Sequence, residues 1–214
     1  MKKLLKYLLV VILSIGLLVL ITGLFLPKEY ALSRTVTIQR SNADVYNYVK
    51  YLKNQANYNV WAQMDPNQIT TYTGEDGQVG FTSAWKSEID SVGAGSQTIV
   101  AMNEGASIDY EIIFTEPFES TMQTAMLFEP LDSNSTKVTW NFRGDMNYPF
   151  NVMLLAYDME KTLGKDLQQG LNTLKEILEK ESSSSAAKKL PYWQWSNDGW
   201  RWTNARTRPQ REGC

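Results

Sequence analysis

The hydrophobic period of this chain changes once, and that change limits the folds open to it. Along Ser107 to Thr115, Ile108, Tyr110, Ile112 and Phe114 alternate with Asp109 and Glu111. Met122, Thr124, Met126 and Phe128 repeat the pattern, as do Val138, Trp140 and Phe142 against Thr139, Asn141 and Arg143. A period of two with one apolar face marks antiparallel strands, buried on one side and wet on the other. Tyr30 to Gln39, Ile69 to Thr73, Val79 to Ser87 and Gly93 to Met102 read as further strands, separated by turns such as Gly74-Glu75-Asp76-Gly77 and Asp132-Ser133-Asn134-Ser135. Ser41 and Asn42 offer N-caps to a short helix with Val45, Tyr48, Val49 and Leu52 on one face. The stretch around Trp61 and Pro66 reads as irregular. From Pro149 to Lys180 the spacing becomes helical: Leu155, Met159, Leu163, Leu167, Leu171, Leu174 and Leu178 recur every three or four residues. A long amphipathic helix following six or seven antiparallel strands has to lay its apolar face on the sheet. The expected fold class is therefore α+β, a curved antiparallel sheet gripping a C-terminal helix.

A different constraint acts at the N-terminus. Leu8 to Leu26 is a run of nineteen uncharged residues behind Lys2, Lys3 and Lys6. As a helix it is about 28 Å long, close to the thickness of a bilayer's hydrocarbon layer. The lysine bias predicts a single membrane span with its N-terminus cytoplasmic and everything after Leu26 extracytoplasmic. The rival is a cleaved signal peptide, whose apolar region is usually shorter and whose nearest small-residue site here, Ala31-Leu32-Ser33, falls inside a predicted strand. No cysteine follows the run, which excludes lipoprotein anchoring.

Charge divides the remainder. Residues 28–180 hold 12 basic and 20 acidic side chains, whereas residues 181–214 hold 6 basic and 3 acidic ones. An acidic body repels phosphate backbones, so no nucleic-acid partner is expected. Ser182 to Ser185 lie in a stretch, Glu181 to Ala187, that reads as a flexible linker. Beyond it stand Trp193, Trp195, Trp200 and Trp202 among arginines: an interfacial segment by one reading, an extension without a role in the domain by the other. The expected organisation is an anchor at 1–27, one domain at 28–180 and a tail at 181–214.

Several features together resemble a known family. They are Val36-Thr37-Ile38 leading into the Ala43-to-Leu52 helix, Trp61 with Asp65-Pro66, Val79-Gly80-Phe81 before Trp85, and Gly93-Ala94-Gly95 opening a strand. Thr136-Lys137-Val138-Thr139-Trp140, Leu163-Gly164-Lys165-Asp166 and Gly170-Leu171-Asn172-Thr173-Leu174-Lys175 complete the set. In order and spacing they resemble the SRPBCC, or START-like, superfamily, in particular its single-domain polyketide cyclase/dehydrase-like members, over residues 30–179. The resemblance implies a helix-grip fold with a cavity for a hydrophobic ligand between sheet and helix. It supplies no shared catalytic set, since the superfamily holds lipid carriers, cyclases, hormone receptors and chaperone-cofactor domains. Ala62-Gln63-Met64 departs from relatives that often place a second tryptophan there.

Trp85, Tyr110, Phe114, Met126, Phe128, Trp140, Phe142, Met159 and Leu163 are the expected lining of that cavity, with close-packed core as the alternative for each. The catalytic inventory is thin. There is no histidine, and Cys214 is the only cysteine, so Ser-His-Asp and Cys-His arrangements cannot be built and no internal disulfide exists. The carboxylates are scattered without a metal-ligand pattern, and no metal or cofactor is expected. Asp109 and Glu111 point outward, Glu160 and Asp166 read as exposed helix charges, and Asp65 before Pro66 reads as a turn cap or a general base at the cavity mouth. Gly93-Ala94-Gly95 opens a strand and is no phosphate loop, and Asn134-Ser135-Thr136 is a glycosylation triplet in a loop. The leading expectation is a membrane-anchored binder of a hydrophobic small molecule or lipid. The alternatives are a cyclase- or hydrolase-type enzyme and a protein-interaction domain with a collapsed cavity.

Overall fold

The computed structural model describes residues 2–155, 158–189, 192–196 and 199–203. Helix α1 (Lys2–Phe25) is followed by β1 (Glu29–Ile38), α2 (Asn42–Val49), a 3-10 turn (Leu52–Asn57) and α3 (Val60–Met64). Strands β2 (Ile69–Thr73), β3 (Thr82–Lys86), β4 (Ala94–Asn103), β5 (Ser107–Glu116), β6 (Ser120–Pro130) and β7 (Thr136–Asp145) come next. A second 3-10 turn (Phe150–Leu155) precedes the long α4 (Met159–Lys189), and β8 (Tyr192–Ser196) and β9 (Gly199–Thr203) close the described chain.

The sheet is antiparallel and seven-stranded, in the order β1-β7-β6-β5-β4-β3-β2. Only β1 departs from simple meander order, pairing with β7 from Glu29↔Asp145 to Ile38↔Thr136. The alternation read from sequence is the alternation of burial. On β7, Thr136, Val138, Trp140 and Phe142 are buried, and on β6 Thr124, Met126 and Phe128 are. A register irregularity between Ile99 and Ala101 interrupts the β4–β5 ladder, the kind of feature that bends a strand and helps a sheet curve. Into the concave face pack Leu167, Leu171, Leu174 and Leu178 of α4, all essentially inaccessible to solvent, together with Val45, Tyr46 and Val49 of α2. The α+β helix-grip architecture is as expected.

Three local expectations change. The final helix does not begin at Pro149. Asp158 caps it, its carboxylate accepting from Lys161 N at 3.0 Å, and Leu155 belongs to the preceding 3-10 turn rather than to the helical stripe. The serine run is not a break, because the α4 backbone continues through it to Lys189. Serine costs a helix only a few tenths of a kcal/mol per residue. The irregular stretch before β2 contains two short helical pieces, with Asn59 capping α3 by accepting from Trp61 N at 3.0 Å. The tail forms a backbone hairpin in which Trp193 pairs with Trp202 and Trp195 with Trp200. The arginines at 206, 208 and 211 lie outside the described residues.

Candidate functional site

Between the sheet and the start of α4 lies a cavity of about 300 Å³. Its floor is the inward face of six neighbouring strands, from Thr70 and Tyr72 on β2 through Ser83, Trp85, Gln97, Ile112, Phe114, Met122 and Thr124 to Trp140 and Phe142 on β7. Leu163 of α4 forms one wall, and residues from Leu52 to Ala62 form the cover. The aromatic walls are braced against one another. Trp85 meets Phe114 edge-on at 5.6 Å between ring centroids, and Trp61 lies over Phe142 at 6.5 Å. Trp85 reaches across β4 because position 95 is glycine, where a Cβ would lie 2.8 Å from the indole. Its Nε1 donates to Val92 O at 3.3 Å.

Polar groups on this wall are few and differ in how well they are paired. Trp140 Nε1 donates to Thr124 Oγ1 at 2.8 Å, and Thr124 donates onward to Asn141 O at 2.7 Å, so that chain is complete. Gln55 and Gln97 are not paired in this way. Both are buried, Gln55 Nε2 has no partner, and among the described residues none hydrogen-bonds the Gln97 amide. A desolvated amide without a partner costs about 1–3 kcal/mol. Gln55 carries that cost, and with the Gln97 amide on the same apolar cavity it invites a polar group from a ligand. Next to Gln55, the hydroxyls of Tyr58 and Tyr110 are also buried without a partner of good geometry. Burial pushes the Tyr110 phenol well above its ordinary value; the neighbouring Tyr58 adds to the rise and Gln55 partly offsets it. Burial raises Tyr58 likewise, so both phenols stay protonated. Among the described residues, Lys53 is the one charged residue on the cavity wall. Its ammonium sits 4.9 Å from the Tyr72 ring centroid, and among the described residues no carboxylate pairs with it.

Of the nine expected lining residues, Trp85, Phe114, Trp140, Phe142 and Leu163 line the cavity. Tyr110, Met126, Phe128 and Met159 do not. The first three have the right strand phase but lie further along the sheet, where α2 and α4 fill the space. Phe128 meets Tyr46 of α2 edge-on at 5.4 Å, and Met126 is wholly buried. Met159, one turn before Leu163, packs half-buried against the core. The cover (Leu52, Gln55, Ala56, Asn59, Trp61 and Ala62) and the pair Gln97 and Tyr72 join the lining without an apolar period that marks them as such. Gln97 was detectable, because it stands in phase with Ile99 and Gly95 on a strand whose inner face is otherwise apolar or small. Gln55 was not, since a 3-10 turn carries no apolar period.

The candidate base Asp65 is a structural clamp. It is buried away from the cavity, and its carboxylate accepts from Ser87 Oγ at 2.5 Å and from Asn67 N at 2.9 Å. Glu160 pairs with Arg34 at 2.7 Å on the helix's exposed side. Asp109 lines only a shallow depression on the outer face of the sheet. Among the described residues, the cavity lining contains no carboxylate, histidine or cysteine.

With the cavity in place, the family can be stated. Residues 30–179 match the model of the polyketide cyclase/dehydrase and lipid transport family. The chain belongs to that family. Solved structures of similar shape include the Zhui aromatase/cyclase from Streptomyces sp. R1128, at 14% identity and TM-score 0.54, covering 72% of this chain and 96% of that one. Norcoclaurine synthase from Thalictrum flavum, in complex with a transition-state analogue, aligns at 8% identity and TM-score 0.53, covering 72% and 96%. Protein CV1439 from Chromobacterium violaceum aligns at 15% identity and TM-score 0.50, covering 70% and 96%. At these identities the likeness establishes the fold. No curated protein matches the chain in sequence. As a polyketide cyclase/dehydrase and lipid transport family member, the domain is of the ligand-binding cavity type.

Proposed function

We propose that this chain is a membrane-anchored binding protein for a hydrophobic small molecule or single lipid, held between the sheet and the start of α4. The observation that carries this reading is the cavity itself: aromatic and aliphatic walls, two unpaired buried amides and one cation at the rim. Its volume of about 300 Å³ lies at the small end of ligand sites, which favours one acyl or isoprenoid chain, or a few fused rings, over a whole two-chain lipid. The family description includes lipid transport, in keeping with this. An enzymatic reading is less well supported, because proton transfer in this lining would fall to the Tyr72 hydroxyl or to Lys53. The interaction-domain reading requires a collapsed cavity.

The anchor is α1, whose residues Lys3–Phe25 are apolar and long enough to cross a bilayer and are almost wholly unburied by the rest of the chain. Lys2, Lys3 and Lys6 at its N-terminal end favour an extracytoplasmic domain. Two measurements test the proposal. Native mass spectrometry of the full chain extracted from its own membrane should show a co-purified lipid-like mass. A cysteine in the loop 132–135, in a Cys214→Ser background, should react with an impermeant thiol reagent in intact cells. A ligand-free protein that also binds no fluorescent fatty acid would sink the binding reading. Labelling only after lysis would sink the topology.

A further inference from the structure

The two ends of the sheet differ in what they expose. The strand pairs Glu29↔Asp145, Ala94↔Glu116 and Lys86↔Ala94 place the start of β1, the β5–β6 turn, the β3–β4 loop and the exit of β7 at one end. Helix α1 also joins at this end, its last residue Phe25 lying just before Glu29. Here Phe118 at the β5–β6 turn is 82% exposed, and Ile89 in the β3–β4 loop is 43% exposed. In the 3-10 turn after β7, Phe150, Met153 and Leu155 are exposed as well. That turn is fixed level with the end of α1. Asn151, wholly buried, donates from Nδ2 to Gly23 O at 2.7 Å and to Leu26 O at 3.2 Å, satisfying carbonyls that a helix C-terminus leaves open. The opposite end exposes Leu131 in one loop, beside Asp132, and Val79 and Tyr51 around another that carries Glu75 and Asp76.

We propose that the α1 end of the sheet is a bilayer-contact surface, where Phe118, Ile89, Phe150, Met153 and Leu155 enter the interfacial layer. The cavity reaches this end, since Ser91 and Val92 of the β3–β4 loop line it. A ligand therefore passes between bilayer and cavity without crossing bulk water. The occupant is a lipid surface because the chain leaves an apolar helix of spanning length only a few residues earlier. The inference rests on the anchor reading of α1. The same loops carry Glu88, Asp90 and Glu119, so the contact is made by apolar insertion and not by attraction to anionic headgroups.

The test uses the full chain in phosphatidylcholine vesicles, with Cys214→Ser and one introduced cysteine carrying a nitrobenzoxadiazole label. Leu17→Cys reports α1, Phe118→Cys the α1 end of the sheet, and Leu131→Cys the far end. All three side chains are largely exposed, so the substitutions leave the core intact. Label at 17 should be quenched by a nitroxide deep in the acyl chain. Label at 118 should be blue-shifted and quenched by a shallow nitroxide several-fold more than label at 131, equally at low and high salt. Quenching at 17 with 118 no different from 131 overturns the surface and leaves the anchor standing. No quenching at 17 removes the anchor, and the inference with it.

Discussion

The two halves of the interior carry the same inward pattern and end up in different states. In the half near the β6–β7 turn, Ile38, Ile108, Met126 and Val138 are wholly buried under α2 and the later turns of α4. In the half near α1, Trp85, Phe114 and Phe142 stand in the same phase but face a cavity. The difference is in the cover. An eight-residue helix with Val45, Tyr46 and Val49 pointing inward closes the first half. The second half is roofed by a 3-10 turn that buries only Leu52 and Gln55 and by the five-residue α3, which buries none of its residues. The short roof meets the floor at Trp61 over Phe142 and at Tyr58 against Trp140, and these rings stand at the edge of the space left open.

The largest effect expected from this contrast is on stability in the packed half. Leu171 has no exposed surface. Leu171→Ala should cost about 2–5 kcal/mol in urea unfolding, as cavity-forming substitutions do. The folded fraction should bind a fluorescent fatty acid as the wild type does. A loss below about 1 kcal/mol would mean that this half is loosely packed too.

In the cavity half the pattern should invert. Ser83 faces the cavity from β3, half-buried. Ser83→Phe should abolish probe binding, because the ring occupies the site, while changing stability by less than about 1 kcal/mol; overpacking a filled core costs about 1–3 kcal/mol instead. Unfolding with no prior binding to lose would show that the cavity closes in solution.

Gln97→Leu sharpens the same contrast at one polar group. It removes an unpaired buried amide at nearly constant volume, so stability should hold or rise. Affinity for a probe with a carboxyl or hydroxyl head should fall about tenfold, the equivalent of one hydrogen bond to a buried group. Unchanged affinity would take Gln97 out of the site.

Why the two halves could not be separated beforehand is a matter of what periodicity encodes. Met126 and Phe142 stand in phase on adjacent strands, and phase assigns a side chain to a face but not to a depth. The strand pattern and the leucine stripe from Leu163 to Leu178 were legible because each is a long run of one period. The roof was not, since residues 52–64 change local structure twice in thirteen residues. The start of α4 is not legible in the spacing, because Leu155 keeps helical spacing with Met159 while Asp158, a capping residue, sits between them. The tail hairpin had a signal that a search for helical period does not see: Trp193-Gln194-Trp195 alternates, and Asn197-Asp198-Gly199 is a turn sequence.

The smallest expected effect concerns the rim. Lys53 is exposed and lies over Tyr72, with Phe81 behind at 5.8 Å. The Tyr72 and Phe81 rings are stacked, 5.9 Å apart and 14° from parallel. A cation on an exposed ring gains about 0.5–1 kcal/mol, enough to bias its position but not to neutralise it. It therefore remains available to an anionic group of a ligand held in the cavity. An exposed ion pair is worth about 0.2–1 kcal/mol, so Lys53→Gln should weaken a fatty-acid probe no more than about fivefold. The same substitution should leave the corresponding fatty alcohol unaffected. The difference between the two probes should shrink at high salt, because charges separated by solvent are screened over about 8–10 Å. Equal losses for acid and alcohol would instead assign Lys53 to shaping the roof, through its stem packed on Tyr72 and Phe81, and would move the headgroup site to Gln55 and Gln97.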